Sequence, residues 1–164
     1  MKSERRDSMI ELLRIDHRLI HGQTGVFWTA HLHADCILIC SDKLLKDPIR
    51  LSAVKLSKPT GVKLVIKNVE DCIKAINSGI TDKYKLFILT EDNEYAFALM
   101  RGCGIKECNL GSMMPTKERT HLLNEAFAAS DAEIDSIRKM VDEGYNLYLQ
   151  KLPTTSKVNV KDKL

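Results

Sequence analysis

No stretch of the 164-residue sequence holds the roughly 20 consecutive apolar residues that a membrane-crossing helix requires. The opening Met-Lys-Ser-Glu-Arg-Arg-Asp-Ser lacks the apolar core of a secretory leader, so the expected location is the cytoplasm. Low-complexity tracts and internal repeats are also missing, which excludes a disordered or repeat protein. Blocks of basic residues are missing too: 25 Lys and Arg stand interspersed with 22 Asp and Glu, a formal charge of +3. That balance predicts no nucleic-acid partner. Cysteine pairs do not add up either. Cys36, Cys40, Cys72, Cys103 and Cys108 are odd in number and sit mostly in apolar segments, so they read as reduced core thiols and agree with a reducing compartment. No metal or zinc site is expected, because Cys36 and Cys40 bracket an apolar strand that would spread them and the nearby His31 and His33 apart. Cys103 and Cys108 match no common zinc spacing, and His121 has no evident partner.

What is present is alternation. Apolar runs at 9–15, 36–40, 62–66, 86–89, 109–110 and 145–152 are short, mostly continuous and rich in Ile, Leu and Val, the pattern of strands buried on both faces. Segments 22–31, 44–56, 69–77, 93–101 and 131–143 carry helical spacing, as in Val69, Ile73, Ile76 and Ile134, Ile137, Val141. The prediction is an α/β fold: an open, mainly parallel β-sheet with helices on both faces, with an antiparallel strand near the C-terminal end. Ser130 followed by Glu133 predicts a capping box, and Gly144 a helix stop. Between residues 113 and 129, Met114-Pro115 breaks the pattern, leaving a strand pair or an irregular excursion. The expected division is one domain over 9–155, an extension at 1–8 and a frayed tail at 156–164.

Chemistry concentrates at Arg14-Ile15-Asp16-His17-Arg18-Leu19-Ile20-His21-Gly22-Gln23. Two arginines, a carboxylate and two histidines crowd the turn after the first strand, at the carboxyl edge of the sheet, where a helix starting near Gly22 aims free N–H groups at any anion. Phosphoryl transfer needs a nucleophile that returns what it accepts, and fixed positive charge for the oxygens. His21 suits the first task; Arg14 and Arg18 suit the second. Asp16 would hold an arginine or fix the imidazole tautomer. Gly22, lacking Cβ, lets a phosphate approach the backbone amides that follow, beginning with Gln23. Ser41, at the end of the second strand, either lines a phosphate pocket or caps the next helix. Trp28 reads as packing of the first helix onto the sheet.

Residues 14–23, with Trp28 following, closely resemble the signature of the IIB components of the mannose/fructose/sorbose family of sugar phosphotransferase systems. More loosely, Ile39-Cys40-Ser41-Asp42 resembles the family's second strand, and Asn109-Leu110-Gly111-Ser112-Met113 its Asn-Val-Gly-Gly-Met turn. The resemblance covers roughly 9–155. It implies a phosphotransferase with no cofactor beyond a covalent phosphohistidine on Nδ1 of His21. The implied partners are a IIA phosphodonor protein or domain, membrane IIC and IID subunits that hold the sugar, and a second copy in a homodimer. The cytoplasmic protein would then be peripherally associated with the membrane transporter. His17, Thr24, Ser112 and Met114-Pro115 depart from the family pattern. Two other readings compete. One is a non-enzymatic module that binds phosphate or a partner through the same loop. The other is a small α/β hydrolase with His21 as base, although no Gly-x-Ser-x-Gly elbow is present.

Overall fold

Strand β1 (Ile10–Asp16) runs through the middle of a seven-stranded sheet of order β3-β2-β4-β1-β5-β8-β9. The computed structural model describes residues 10–164; the extension expected at 1–8 lies outside the described residues. The other strands are β2 (Cys36–Cys40), β3 (Lys63–Lys67), β4 (Leu86–Thr90), β5 (Glu107–Ser112), β8 (Asn146–Leu149) and β9 (Val158–Asn159). All neighbours pair in parallel except β8 and β9, which are antiparallel. Both the parallel sheet and its antiparallel C-terminal strand agree with the sequence reading.

Helices cover both faces. Trp28 of α1 (Gly22–Leu32), Leu44 of α2 (Asp42–Leu45) and Val54 of α3 (Pro48–Leu56) pack with Ile37, Ile39 and Phe87 on one face. Cys72 and Ile76 of α4 (Val69–Ser78), Leu99 and Met100 of α5 (Asn93–Cys103), and Ile134 and Ile137 of α6 (Asp131–Asp142) pack with Ile15, Leu38 and Ile88 on the other. Connections that move toward β3 use the first face and those that move toward β9 use the second, as right-handed crossovers require.

Local chemistry sets the ends. Ser130 and Glu133 form the predicted capping box on α6. The single helix expected over 44–56 is instead two. Proline has no N–H and clashes with the preceding turn, so Pro48 starts a new helix with Asp47 as its cap, the carboxylate accepting from Arg50 N at 3.1 Å. Segment 113–129 resolves into a strand pair, β6 (His121–Leu122) and β7 (Ala128–Ala129). Met113 ties that pair to the sheet through bonds with Ala126 and Ala128, and Phe127 is fully buried. The C-terminal residues do not fray: β9 pairs with β8, and a 3-10 turn (Val160–Lys163) buries Val160 completely. One buried apolar side chain and a free sheet edge outweigh the polar composition that suggested a tail.

Candidate active site

Strand alternation sends Leu13 and Ile15 into the core under α4–α6 and turns Arg14 and Asp16 to the opposite face. Arg14 is 1% exposed, and a buried guanidinium needs partners on every side. It donates to Asn109 Oδ1 (2.5 Å), to the Gln150 carbonyl (2.9 Å) and to Asp16 Oδ2 (3.3 Å), and its Cζ lies 4.9 Å from the Trp28 ring centroid. Arg14 is therefore a strut beneath the loop. The sequence reading gave it a phosphate-binding task; its burial and its three acceptors assign it the holding of Asp16 instead.

Asp16 joins the parts. Its Oδ1 accepts from the Arg18 amide at 2.9 Å, tightening the turn, and its Oδ2 lies 3.0 Å from His21 Nε2. Burial pushes the Asp16 carboxyl up. The His21 hydrogen bond, the Arg14 charge and the Arg18 amide outweigh that and hold it below its ordinary value. The loop is pinned at other points as well. Leu19 (φ 59°) and Ile20 are buried. His17 N donates to the Ser112 carbonyl at 3.0 Å, and the His17 ring meets Ser112 Oγ at 3.3 Å.

His21 is the residue before α1 and caps it with no side-chain bond; no acidic residue occupies the first turn. The leading amides of α1, from Gly22 and Gln23 onward, precede the first helical acceptor and so lie open beside an imidazole that is 18% exposed. Gly22 takes φ +45°, with open space where a Cβ would stand. Arg18 is exposed, and its guanidinium bonds to no other described residue. The structure thus gathers Asp16, Arg18, His21, Gly22 and Gln23 around the turn from β1 to α1, with Arg14 beneath it.

Ser41 goes elsewhere. Fully buried, it accepts from Leu44 N at 3.0 Å and donates to Glu91 Oε2 at 2.9 Å, so its hydroxyl is committed to the helix cap and to a carboxylate. Two neighbours were given no task by the sequence: Asn109 stood only in the short strand and in the turn that resembles the family's, and Glu91 gave no signal. In register, Thr90 pairs with both Ile15 and Cys40, so Asp16, Glu91 and Ser41 follow side by side at the carboxyl edge. Glu91 has its own cation, Arg50, at 3.2 Å. Trp28 packs as expected, 3% exposed, donating from Nε1 to the Lys151 carbonyl at 3.1 Å. His121, unpartnered in the sequence reading, bonds Asp131 at the start of α6. Cys36 and Cys40 lie buried in β2, and burial raises the Cys36 thiol.

Fold and site together define a doubly wound α/β protein with a histidine held at the start of a helix whose first turn carries no acidic residue. The family described as the PTS system sorbose subfamily IIB component matches residues 10–164, and the chain belongs to it. The sorbose-specific EIIB component of Klebsiella pneumoniae is 28% identical over 158 residues, covering 94% of each chain. The mannose-specific EIIAB component of Escherichia coli strain K12 is 27% identical over 158 residues, covering 94% of this chain and 48% of that longer protein. The crystal structure of the IIBSor domain of the Klebsiella pneumoniae sorbose permease superposes with a TM-score of 0.87 at 26% identity, over 94% of this chain and 95% of that one. The family identified from residues 14–23 is the one these comparisons return. Among the described residues no helix is long and apolar enough to cross a membrane.

Proposed function

We propose that His21 is a phosphoryl carrier that accepts phosphate from a IIA histidine and gives it to a sugar imported through membrane IIC and IID subunits. The observation that carries this reading is the bond between Asp16 Oδ2 and His21 Nε2. Asp16 is a carboxylate, so Nε2 bears the proton and donates, which leaves Nδ1 as the nitrogen with the lone pair. In the accepting step that lone pair attacks phosphorus while the phosphorus–nitrogen bond of the donor imidazole breaks. In the delivering step a sugar hydroxyl attacks, the bond to Nδ1 breaks and the hydroxyl proton passes to solvent.

The α1 amides and the Arg18 guanidinium supply positive charge to the three equatorial oxygens. Arg14 acts through Asp16, and Asp16 through the imidazole; both are positioning residues. The EIIAB name of the Escherichia coli relative supports a IIA donor, covalently joined in that protein. The test is intact-mass and peptide mapping at alkaline pH after incubation with phosphoenolpyruvate, enzyme I, the histidine phosphocarrier and a panel of mannose-type IIA proteins. One acid-labile phosphoryl group on His21 is the expected result. No label from any phosphorylated IIA would leave a binding module in its place.

A further inference from the structure

Strand β3 ends the sheet and pairs only with β2 among the described residues. Lys63 N donates to the Asp35 carbonyl at 3.0 Å, and Ser41 N donates to the Lys67 carbonyl at 3.0 Å, so the backbone groups of Lys63, Val65 and Lys67 face β2. Alternation then turns the N–H and C=O of Leu64 and Ile66 to the open side. A free edge of this kind is a template for one more strand.

Grooves run along both faces of that edge. On the side of α3, a groove of about 600 Å³ has Leu45, Leu64 and Ile66 in its floor and Lys55, Lys58 and Lys63 at its rim. On the opposite side, one of about 240 Å³ has Val65, Ile80 and Tyr84 with Lys63, Lys67 and Lys83. No carboxylate lines either groove. Apolar side chains stay unusually open here: Leu45 is 43% exposed and Ile80 64%. Edge lysines are a common defence against pairing with a second copy, and five of them around one strand do repel this chain. The same charge selects an opposite one.

We infer that β3 is the docking edge for an extended acidic segment of another protein, which adds a strand beside Lys63–Lys67. The strand reads Lys-Leu-Val-Ile-Lys; its complement has carboxylates at the two ends and apolar residues between, so that charges and apolar side chains face each other across the pair. An anionic lipid surface would satisfy the lysines but would leave the outward groups of Leu64 and Ile66 unused, and the concave grooves on both faces of the strand favour a peptide.

The test titrates the 15N-labelled full chain with a capped Glu-Val-Val-Val-Glu peptide to roughly millimolar concentration. Expected are saturable shifts, with hydrogen exchange at the Leu64 and Ile66 amides slowed at least ten-fold. A peptide methylated on its backbone nitrogens and one with lysine in place of glutamate should both fail to bind. A Lys58→Glu, Lys83→Glu variant should bind the acidic peptide at least ten-fold more weakly. No shifts, or shifts that survive backbone methylation, would overturn the inference without any change to the protein. Retention on phosphatidylglycerol vesicles without protection of Leu64 and Ile66 would assign the patch to lipid and overturn it as well.

Discussion

Arg14 occupies the space that any side chain at Gly111 would need: a Cβ there would stand 2.2 Å from Cζ and 2.3 Å from Nη1 of the guanidinium. Gly111 lies beyond Asn109 and Leu110 on β5, and Asn109 is paired in register with Arg14. The glycine is required by close approach and not by backbone conformation. Gly111→Ala should force Arg14 off its three acceptors, costing about 2–4 kcal/mol and slowing phosphoryl acceptance by releasing Asp16. Urea denaturation and the rate of labelling measure the two effects. A variant as stable and as fast as the parent would contradict the strut role of Arg14.

The acid side of the stability profile follows from Asp16 and Glu133. Burial raises both carboxyls, but Asp16 is held down by His21, Arg14 and the Arg18 amide, and Glu133 by Arg119 and Ser130, so both end below their ordinary values of 3.8 and 4.5. A depressed folded value stabilises fully above the unfolded one and is lost as pH falls through the folded one. Stability should therefore hold from neutral pH to about 5 and decline in acid. Asp16→Asn should lower the plateau and flatten that decline, because it removes one titrating partner and leaves Arg14 short of charge. Urea midpoints measured from neutral to acid pH check both parts.

Arg18 and His21 are exposed or half-buried loop residues, so they can be changed without touching the core. His21→Ala should abolish the acid-labile label with a stability change under about 1 kcal/mol. Arg18→Ala should still be labelled, but slower by roughly 10²–10³-fold through lost charge stabilisation. Stopped-time labelling separates the two, and parental rates for the Arg18 variant would remove its assigned role.

Val160 carries the C-terminal segment. It is fully buried although the surrounding residues are polar. Val160→Ser should cost about 2 kcal/mol, seen as a lower melting temperature, and should speed amide exchange across the β8–β9 pair. An unchanged melting temperature would return the segment to the status of a tail.

Much of this was legible before any coordinates. Leu13 and Ile15 read as buried strand positions because Ile and Leu dominate the run from 9 to 15, and the Ser130–Glu133 box announced α6 through chemistry confined to one turn. The cluster from Arg14 to Gln23 was conspicuous because packing offers no reason for five ionisable residues in one short turn. Arg14 was the point of failure. Sequence proximity to His21 suggested a shared ligand, yet whether a strand arginine faces solvent or core depends on what neighbouring strands provide. Here Asn109, Gly111 and Gln150 come from β5 and the end of β8, 95 to 136 residues away. The split at Pro48 was written in the sequence and overridden by helical spacing on either side of it.

The sequence by itself determined the alternation of strands and helices, the family, and the candidate histidine, since each rests on local periodicity or on a contiguous motif. Only the tertiary structure decided which nitrogen of His21 is engaged, that Arg14 holds Asp16 from below, that Ser41 is committed to Glu91, and that the last residues close the sheet. Those outcomes depend on distances between strands far apart in the chain, and a short-range pattern contains no information about which groups the fold will bring face to face.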